Sequence, residues 1–266
     1  MSAFIATPVR QCYLARRNPT VKLAVLALAS AVAMFVFDPL TAGVLYAVAV
    51  AAVALGLRPD TRSVVIAHLP FLAFAASVFT VNMLTRPGAV VWQAGFLRIT
   101  QEGMSVGAAL GARTLFIGIL AVAFIRSTDG VALMTSLHHN AKLNARLTYA
   151  ILTGYRMLQE MPAEWSTIRH AHAVRLPQPS GRRPNGPRHL AGVVFTLLVV
   201  SLRKGERMAQ ALESRGLGRH PRTTWQHTPV RTADWVLAGA VVVVLIGILV
   251  LSMRLGVFRG PGALTT

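Results

Sequence analysis

The sequence predicts an all-α membrane protein with about five transmembrane helices and two or three long amphipathic helices on the cytoplasmic side. Three observations lead to this fold class. The chain is 54% hydrophobic and only 14% charged, and its mean hydropathy of +0.54 is above that of ordinary soluble domains. Five apolar runs approach the roughly 20 residues that a helix needs to cross a bilayer. Finally, 16 of the 27 basic residues fall in one polar stretch between the fourth and fifth runs.

The five apolar runs follow one another with recognisable breaks. They are Val21 to Phe37, Leu40 to Leu57, Val64 to Leu84, Met104 to Ile125 and Trp235 to Met253. Because the first run leads after only two residues into the second, we expect a membrane span there and not a cleavable signal peptide. The predicted organisation is a cytoplasmic segment 1–20, a four-helix transmembrane region 21–126, a cytoplasmic region 127–232, and a C-terminal transmembrane helix with its tail, 233–266.

The basic residues predict that the N-terminus is cytoplasmic, since Lys and Arg near span ends favour that side of the membrane. The N-terminal segment carries Arg10, Arg16, Arg17 and Lys22. The turn at Asp38-Pro39 carries no basic residue. We therefore expect a multi-pass protein of the cell membrane, inner or plasma, whose loop 85–103 lies outside and whose region 127–232 lies inside.

The cytoplasmic region carries two amphipathic ladders. Stripe residues recur in steps of three and four from Leu143 to Arg175 and from Val194 to Arg215, which is the period of an α-helix. The first helix would be about 48 Å long from residue 143 to 175, with a kink expected at Pro162, and the second about 38 Å long from residue 190 to 215. The Pro- and Gly-rich segment 176–188 predicts a linker that lets them cross. Such helices lie along a membrane or against other helices and present their far ends to a partner.

Each ladder ends on an arginine. A cation in the last turn with glycine beyond it is a common helix ending, so Arg215-Gly216 alone is explained by capping. The repetition changes the interpretation, because Arg175 ends the first ladder in the same way. The planar guanidinium suits a groove lined by carboxylates or helix-end carbonyls. We therefore predict that both arginines bind a partner.

The two helix ends read "IRHAHAVRL" at 168–176 and "MAQALESRG" at 208–216. Four further stretches accompany them: "NPTVKL" at 18–23, "ARTLFIGILAVAFIRSTD" at 112–129, "MLQEMP" at 157–162 and "RT" at 222–223. In this order and spacing, over residues 18–252, the chain resembles the transmembrane T component of energy-coupling factor (ECF) transporters. That family's two signature segments end in Ala-Arg-Gly.

The sequence departs from the family pattern beside both arginines. Val174 and Leu176 flank Arg175 where Ala and Gly are usual. Ser214 stands where the second motif has Ala. The resemblance assigns ATPase coupling to the two arginines and their neighbours: Val174, Arg175, Ser214, Arg215 and Gly216.

The resemblance implies a scaffold that joins two ABC-type ATPase subunits, an ATPase homodimer or a fused pair, to a small membrane S component within the lipid bilayer. It implies no catalysis and no cofactor for this chain, because ATP is bound by the partner ATPases. The sequence has no G-x-x-x-x-G-K-[ST] loop, in agreement with that expectation. The S component would select the micronutrient, so vitamins, their precursors and divalent transition metals all stay open.

Other residues in the apolar runs receive structural interpretations. Arg113 lies within the fourth run, where a charge is costly, and we expect it to bind a backbone carbonyl or Asn82. Gly103, Gly107 and Gly111 form a small-residue stripe, for which the S component is the expected neighbour. The histidines lack the spacing of metal ligands, so we predict no metal site.

Two other classes of membrane protein stay open as alternatives. A polytopic membrane enzyme acting on lipid or prenyl substrates would need clustered carboxylates, whereas the nine acidic residues are scattered. An ordinary ABC importer permease would contact one ATPase through one short coupling helix. A nucleic-acid partner is not expected, because the basic region lacks stacking aromatic residues.

Overall fold

The computed structural model describes residues 13–56, 61–94, 97–175, 186–219 and 228–256, and within them lie eight α-helices and one small sheet. The helices are α1 Pro19–Met34, α2 Pro39–Gly56, α3 Thr61–Thr85, α4 Gln101–Ser127, α5 Gly130–Asn140, α6 Ala145–Arg175, α7 Pro187–Ser214 and α8 Thr232–Arg254, and the strands are β1 Val90–Ala94 and β2 Leu97–Thr100. The predicted all-α membrane fold is confirmed, with the sheet as a small addition.

The chain forms two compact units. The first, here called the spanning unit, consists of Thr7–Asp129 and Pro229–Thr266 and contains α1 to α4, the sheet and α8. The second, the α5–α7 unit, consists of Met1–Ala6 and Gly130–Thr228. In the part of the chain that the structure describes, the chain passes between the units after Asp129 and again after Thr228.

Four helices of the spanning unit are long and apolar enough to cross a membrane: α2, the Val64–Thr85 part of α3, α4 and α8. The chain is thus a multi-pass membrane protein. The remaining predicted span is the first one along the chain, α1, and it has only 16 residues. The apolar run continues to Phe37, but Asp38 precedes a proline, which disfavours helical backbone at that residue. The last apolar residues of the run therefore form the turn into α2.

Polar contacts fix that turn. The Asp38 carboxylate accepts hydrogen bonds from the backbone N–H and the hydroxyl of Thr41, at 2.7 and 2.6 Å, and so caps the start of α2. The Thr41 and Ser252 hydroxyl oxygens lie 2.5 Å apart. The start of α2 and the end of α8 therefore lie at the same end of the spanning unit.

Helix α4 is the centre of the spanning unit and packs against α1, α2 and α3. It begins where the Thr100 hydroxyl accepts the Gly103 N–H at 3.1 Å, an N-cap of the usual kind. Its own buried side chains form one apolar core with those of α1, α2 and α8: Ala29, Ala33, Leu45, Ala49, Val53, Phe116, Ile119, Val122 and Leu245. Many of these residues are small, which lets the helix backbones approach closely, as membrane helices commonly do.

The small-residue stripe of α4 faces α3. A Cβ atom added at Gly103 would lie 2.6 Å from the Asn82 carbonyl oxygen, and one at Gly107 would lie 3.0 Å from that of Phe79. The prediction that this stripe faces the S component is therefore wrong. The glycines are needed for the close contact between α3 and α4 of the same chain.

The predicted loop 85–103 contains a hairpin, which was not among the predicted elements. Strands β1 and β2 pair antiparallel, with Val90 opposite Thr100 and Ala94 opposite Leu97. The register shifts between Val90 and Trp92, as it does at a β-bulge. The signal was present in the sequence, since "VVW" and "LRIT" are rich in β-branched and aromatic residues and flank a glycine.

Some predicted features lie outside the described residues. They include most of the linker, residues 176–185, and also the "RT" stretch at 222–223 and the tail from residue 257. The described chain resumes before α7 begins at Pro187. That helix therefore includes the last two residues of the predicted linker.

Candidate functional site

Helices α6 and α7 form an antiparallel pair. The Nε2 atom of His172, near the end of α6, lies 3.0 Å from the hydroxyl oxygen of Thr196, in the first half of α7. Further back along α6, Glu160 and Glu164 both accept hydrogen bonds from the Lys204 ammonium, the second at 3.2 Å. As the residue number rises along one helix, it falls along its partner.

The same order continues to the other end of the pair. A Cβ atom added at Gly218, four residues beyond α7, would lie 2.6 Å from Nε of Arg146, in the first turn of α6. The end of α7 therefore passes directly beside the start of α6. The sequence predicted both helices, and the structure shows them in antiparallel contact.

Lys204 is the main ionic contact between the two helices. The hydrogen bond that Lys204 donates to Glu160 is the largest cause that raises the pKa of Lys204, and the hydrogen bond that it donates to Glu164 is the next. A raised lysine pKa contributes stability below the ordinary value of about 10.4, and this contribution is lost as the pH rises through the raised value. The ammonium therefore remains charged and paired throughout the neutral range. The contact is solvent-exposed, so salt will weaken it.

The end of α7 has a defined backbone structure. The Gly216 N–H donates to the Glu213 carbonyl at 2.9 Å, and the Leu217 N–H donates to the Leu212 carbonyl at 3.0 Å. Gly216 has a φ of +78°, in the left-handed region. These two bonds and this conformation define the Schellman motif, in which glycine occupies the position after the C-cap. The glycine of the second predicted motif is therefore explained by the helix ending itself.

Helix capping does not explain the side chain beside that glycine. Arg215 is the C-cap residue of α7, and its side chain is exposed. The neighbouring Ser214 hydroxyl donates to the Ala211 carbonyl at 3.0 Å and so stays on its own helix. Within the described residues, the Arg215 guanidinium has no hydrogen bond or ion pair, and it is free to bind a partner.

Arg175 occupies the corresponding position on α6. It is the last residue of the helix and is exposed, and the Val174 side chain before it is 86% exposed. No described residue pairs with the Arg175 guanidinium. The turn predicted at Leu176 lies outside the described residues, so the structure describes the helix up to the arginine.

The two arginines lie at opposite ends of the helix pair. Arg175 is near the start of α7, whereas Arg215 is near the start of α6, beside Arg146. From Arg146 to Arg175 the axis of α6 is about 43 Å long, at 1.5 Å per residue. The candidate site therefore consists of two exposed guanidinium groups about 40 Å apart on one paired-helix unit. We call them the two coupling tips.

Arg113, predicted as a structural charge, binds within the spanning unit. Its Nη2 donates to the Val36 carbonyl at 2.8 Å, and its guanidinium lies 4.6 Å from the centre of the Phe37 ring. Asn82, the alternative partner, instead donates to the Val78 carbonyl of its own helix. The charge is thus held at the turn between α1 and α2.

Within the described residues, no group of three or more His, Cys, Asp and Glu side chains lies close enough to hold a metal ion. His172, one of the histidines considered, instead contacts Thr196 and the His189 ring. That contact joins α6 to α7.

Four long apolar helices, together with a separate unit of paired helices, define a multi-pass membrane protein with exposed helix ends. The sequence profile of the cobalt transport protein family, CbiQ, matches residues 11–225, and the chain belongs to that family. It is therefore a membrane component of a cobalt or ECF transport system, in a family that works within ECF transporter complexes and is generally without catalytic activity. Among curated proteins, none matches the chain.

Proposed function

We propose that this chain is the T component of an ECF-type ABC importer, the scaffold that passes the ATP-driven motion of two ATPase subunits to an S component. The observation that carries this proposal is the position of Arg175 and Arg215. One chain presents two exposed guanidinium groups at opposite ends of a paired-helix unit. That arrangement suits two separate sockets, one on each ATPase, whereas an ordinary permease needs only one coupling helix.

Exposed apolar residues on one face of α7 indicate that a further partner binds there. Four apolar side chains spaced four residues apart are exposed along its first half: Leu190, Val194, Leu198 and Leu202. Leu198, for example, is 65% exposed. Since α7 is not among the helices that can cross a membrane, this stripe needs an apolar neighbour at the membrane. We assign the S component, embedded in the lipid bilayer, to this face.

Mechanically, the two helices move together. The contact of Lys204 with Glu160 and Glu164 and the contact of His172 with Thr196 join α6 and α7 at two levels. When ATP closes the ATPase pair, both tips are displaced at once. The helix pair tilts as a body and reorients the S component, which releases its micronutrient to the cytoplasm. This chain binds no cofactor in that cycle, and the ATPases bind the ATP.

The substrate is selected by the S component and not by this chain. The family description names cobalt. Because the scaffold would transmit the same motion for any S component, uptake of a divalent metal, a vitamin or a vitamin precursor is compatible with the coupling tips. Mass spectrometry of the copurified S component with its ligand will identify the substrate.

The decisive experiment is the double variant Arg175→Ala/Arg215→Ala, expressed with the ATPases and the S component. Each arginine provides a charge-assisted anchor that we expect to be worth about 2 to 5 kcal/mol in the complex. We expect the double variant to lose substrate uptake and ATPase copurification, and each single variant to lose less. The matched control is Arg169→Ala/Arg203→Ala, which removes two exposed arginines from the same helices away from the tips.

Three outcomes decide between the alternatives. Normal uptake by the double variant at normal expression contradicts the assigned roles. Copurification of only one ATPase per chain, with one tip dispensable, indicates an ordinary permease. A chain that is active alone, without ATPases, indicates a membrane enzyme.

A further inference from the structure

The start of α1 touches both places where the chain leaves and re-enters the spanning unit. The chain leaves just after Ser127, the last residue of α4, and returns just before α8 begins at Thr232. Within the described residues, the chain runs between the two units at these two connections.

Lys22, on α1, holds the first connection. Its ammonium donates to the Ser127 carbonyl at 2.7 Å, to the Ser127 hydroxyl at 3.2 Å and to the Leu14 carbonyl at 3.1 Å. A lysine ammonium has three donors, so all three have acceptors. The Ser127 carbonyl is one of the last four of α4, which have no partner within the helix. Lys22 therefore caps α4, and its side chain is only 6% exposed.

Asp234, in the first turn of α8, holds the second connection. Its carboxylate accepts the Asn18 N–H at 3.2 Å and the Arg231 N–H at 2.9 Å. The Arg17 guanidinium lies 4.0 Å from the same carboxylate, which is 2% exposed. An acidic group at a helix N-terminus and a cation at a helix C-terminus both interact favourably with the helix dipole. Asp234 therefore stabilises the start of α8, and Lys22 stabilises the end of α4.

Packing between these helix ends is incomplete. An apolar cavity of about 140 Å³ lies between α1, α2, α4 and α8, and Lys22 and Ser127 are part of its lining. The cavity is partly open, and the Lys22 and Ser127 contacts lie at its wall. The polar contacts of Lys22 and Asn18 join α1 to α4 and to α8 at this end of the spanning unit.

We propose that the start of α1, through Lys22 and the Asn18–Asp234 contact, is a joint that fixes both connections to the spanning unit so that motion of the coupling tips is transmitted and not dissipated. This inference rests on the proposed function. Lys22 and Asp234 act as positioning residues, since neither is exposed to a partner. With the joint loosened, the ATPases would still bind and hydrolyse ATP, but less of each cycle would reach the transmembrane helices.

The test compares Lys22→Met with wild type in the full complex reconstituted into vesicles. We expect the variant to copurify with its partners and to hydrolyse ATP normally, while substrate taken up per ATP falls about ten-fold, within the range of single-residue effects on coupling. Arg16→Met is the matched control, because it removes an exposed charge from the same segment. If the Lys22→Met chain is not obtained at normal levels, the same measurements are made on Asp234→Asn, which keeps the shape of the side chain.

A second readout does not depend on the proposed function. Amide hydrogen exchange in the purified chain should speed up at residues 128–131 and 229–233 in Lys22→Met and stay unchanged in Arg16→Met. Unchanged amide exchange at both connections in Lys22→Met would contradict the proposal that the joint exists. Faster exchange with unaltered uptake per ATP would overturn its role in coupling. If the wild-type chain has no ATPase partners, the proposed function fails, and the exchange result still decides whether the joint exists.

Discussion

At the level of single residues, the end of α7 separates two roles that the sequence presents together. Gly216 is required by the left-handed backbone of the Schellman motif. Arg215 has no such requirement, since its side chain is exposed and unpaired within the described residues. The sequence suggested both explanations for the pair. Only the backbone geometry assigns capping to the glycine and leaves the arginine available for binding.

Gly216→Ala should loosen the end of α7 without changing the charge of the tip. A left-handed conformation costs a residue with a Cβ about 1 to 2 kcal/mol, and Arg219, the nearest side chain, leaves enough space for the methyl group. Amide exchange at residues 212–217 should therefore accelerate about 5- to 30-fold. Gly205→Ala is the control with the opposite sign, because an added Cβ meets nothing there and alanine favours a helix interior by about 1 kcal/mol. Equal effects of the two substitutions would contradict the capping role.

At the level of helices and strands, periodicity predicted where the helices lie better than it predicted which helices pack together. The apolar runs located α2, α3, α4 and α8, and the two ladders located α6 and α7 with their arginine ends. The glycine stripe of α4 was also recognised, but its partner was assigned wrongly. A small-residue stripe indicates close packing and carries no information on which helix packs against it.

The contact between α3 and α4 makes a graded prediction for alanine substitutions. An added Cβ would lie 2.6 Å from a backbone oxygen at Gly103, 3.0 Å at Gly107 and 3.4 Å at Gly111. Overpacking typically costs about 1 to 3 kcal/mol, so Gly103→Ala should destabilise most and Gly111→Ala least. Thermal unfolding in detergent will show whether the melting temperatures follow this order. The same melting temperature for all three variants would mean that α3 and α4 are not in this contact.

At the level of the whole molecule, the contacts between distant parts of the chain were the least predictable. Composition and charge fixed the membrane class, and motif order indicated the family. The contact of Lys22 with Ser127 joins residues 105 positions apart. Each partner looks unremarkable in the sequence, because a lysine near a span end is expected for charge distribution alone. The antiparallel pairing of α6 and α7 was equally hard to predict, because the residues that join the two helices also look ordinary in the sequence.

The contact between Lys22 and Ser127 also bears on membrane topology. It brings the start of α1 and the end of α4 to the same end of the spanning unit, which requires an even number of crossings between them. We therefore expect α1 to cross the membrane in spite of its 16 residues. In a chain with Cys12→Ser, single cysteines at Arg16 and Ala141 should react with a membrane-impermeant thiol reagent only after permeabilisation, and one at Val91 should react in intact cells. Labelling of Arg16 and Ala141 from opposite sides would exclude a crossing by α1.

The helix pair holds the two coupling tips at a fixed distance from each other. Two weak contacts on one stiff body bind with a combined strength far above either alone, because the first contact raises the effective concentration of the second. This gain requires partner sockets about 40 Å apart, measured along the helix axis. An ATPase pair whose sockets lie closer together would engage one tip at a time. Under the proposed function, the length of α6 would select the conformation of the ATPase pair that holds the scaffold most tightly.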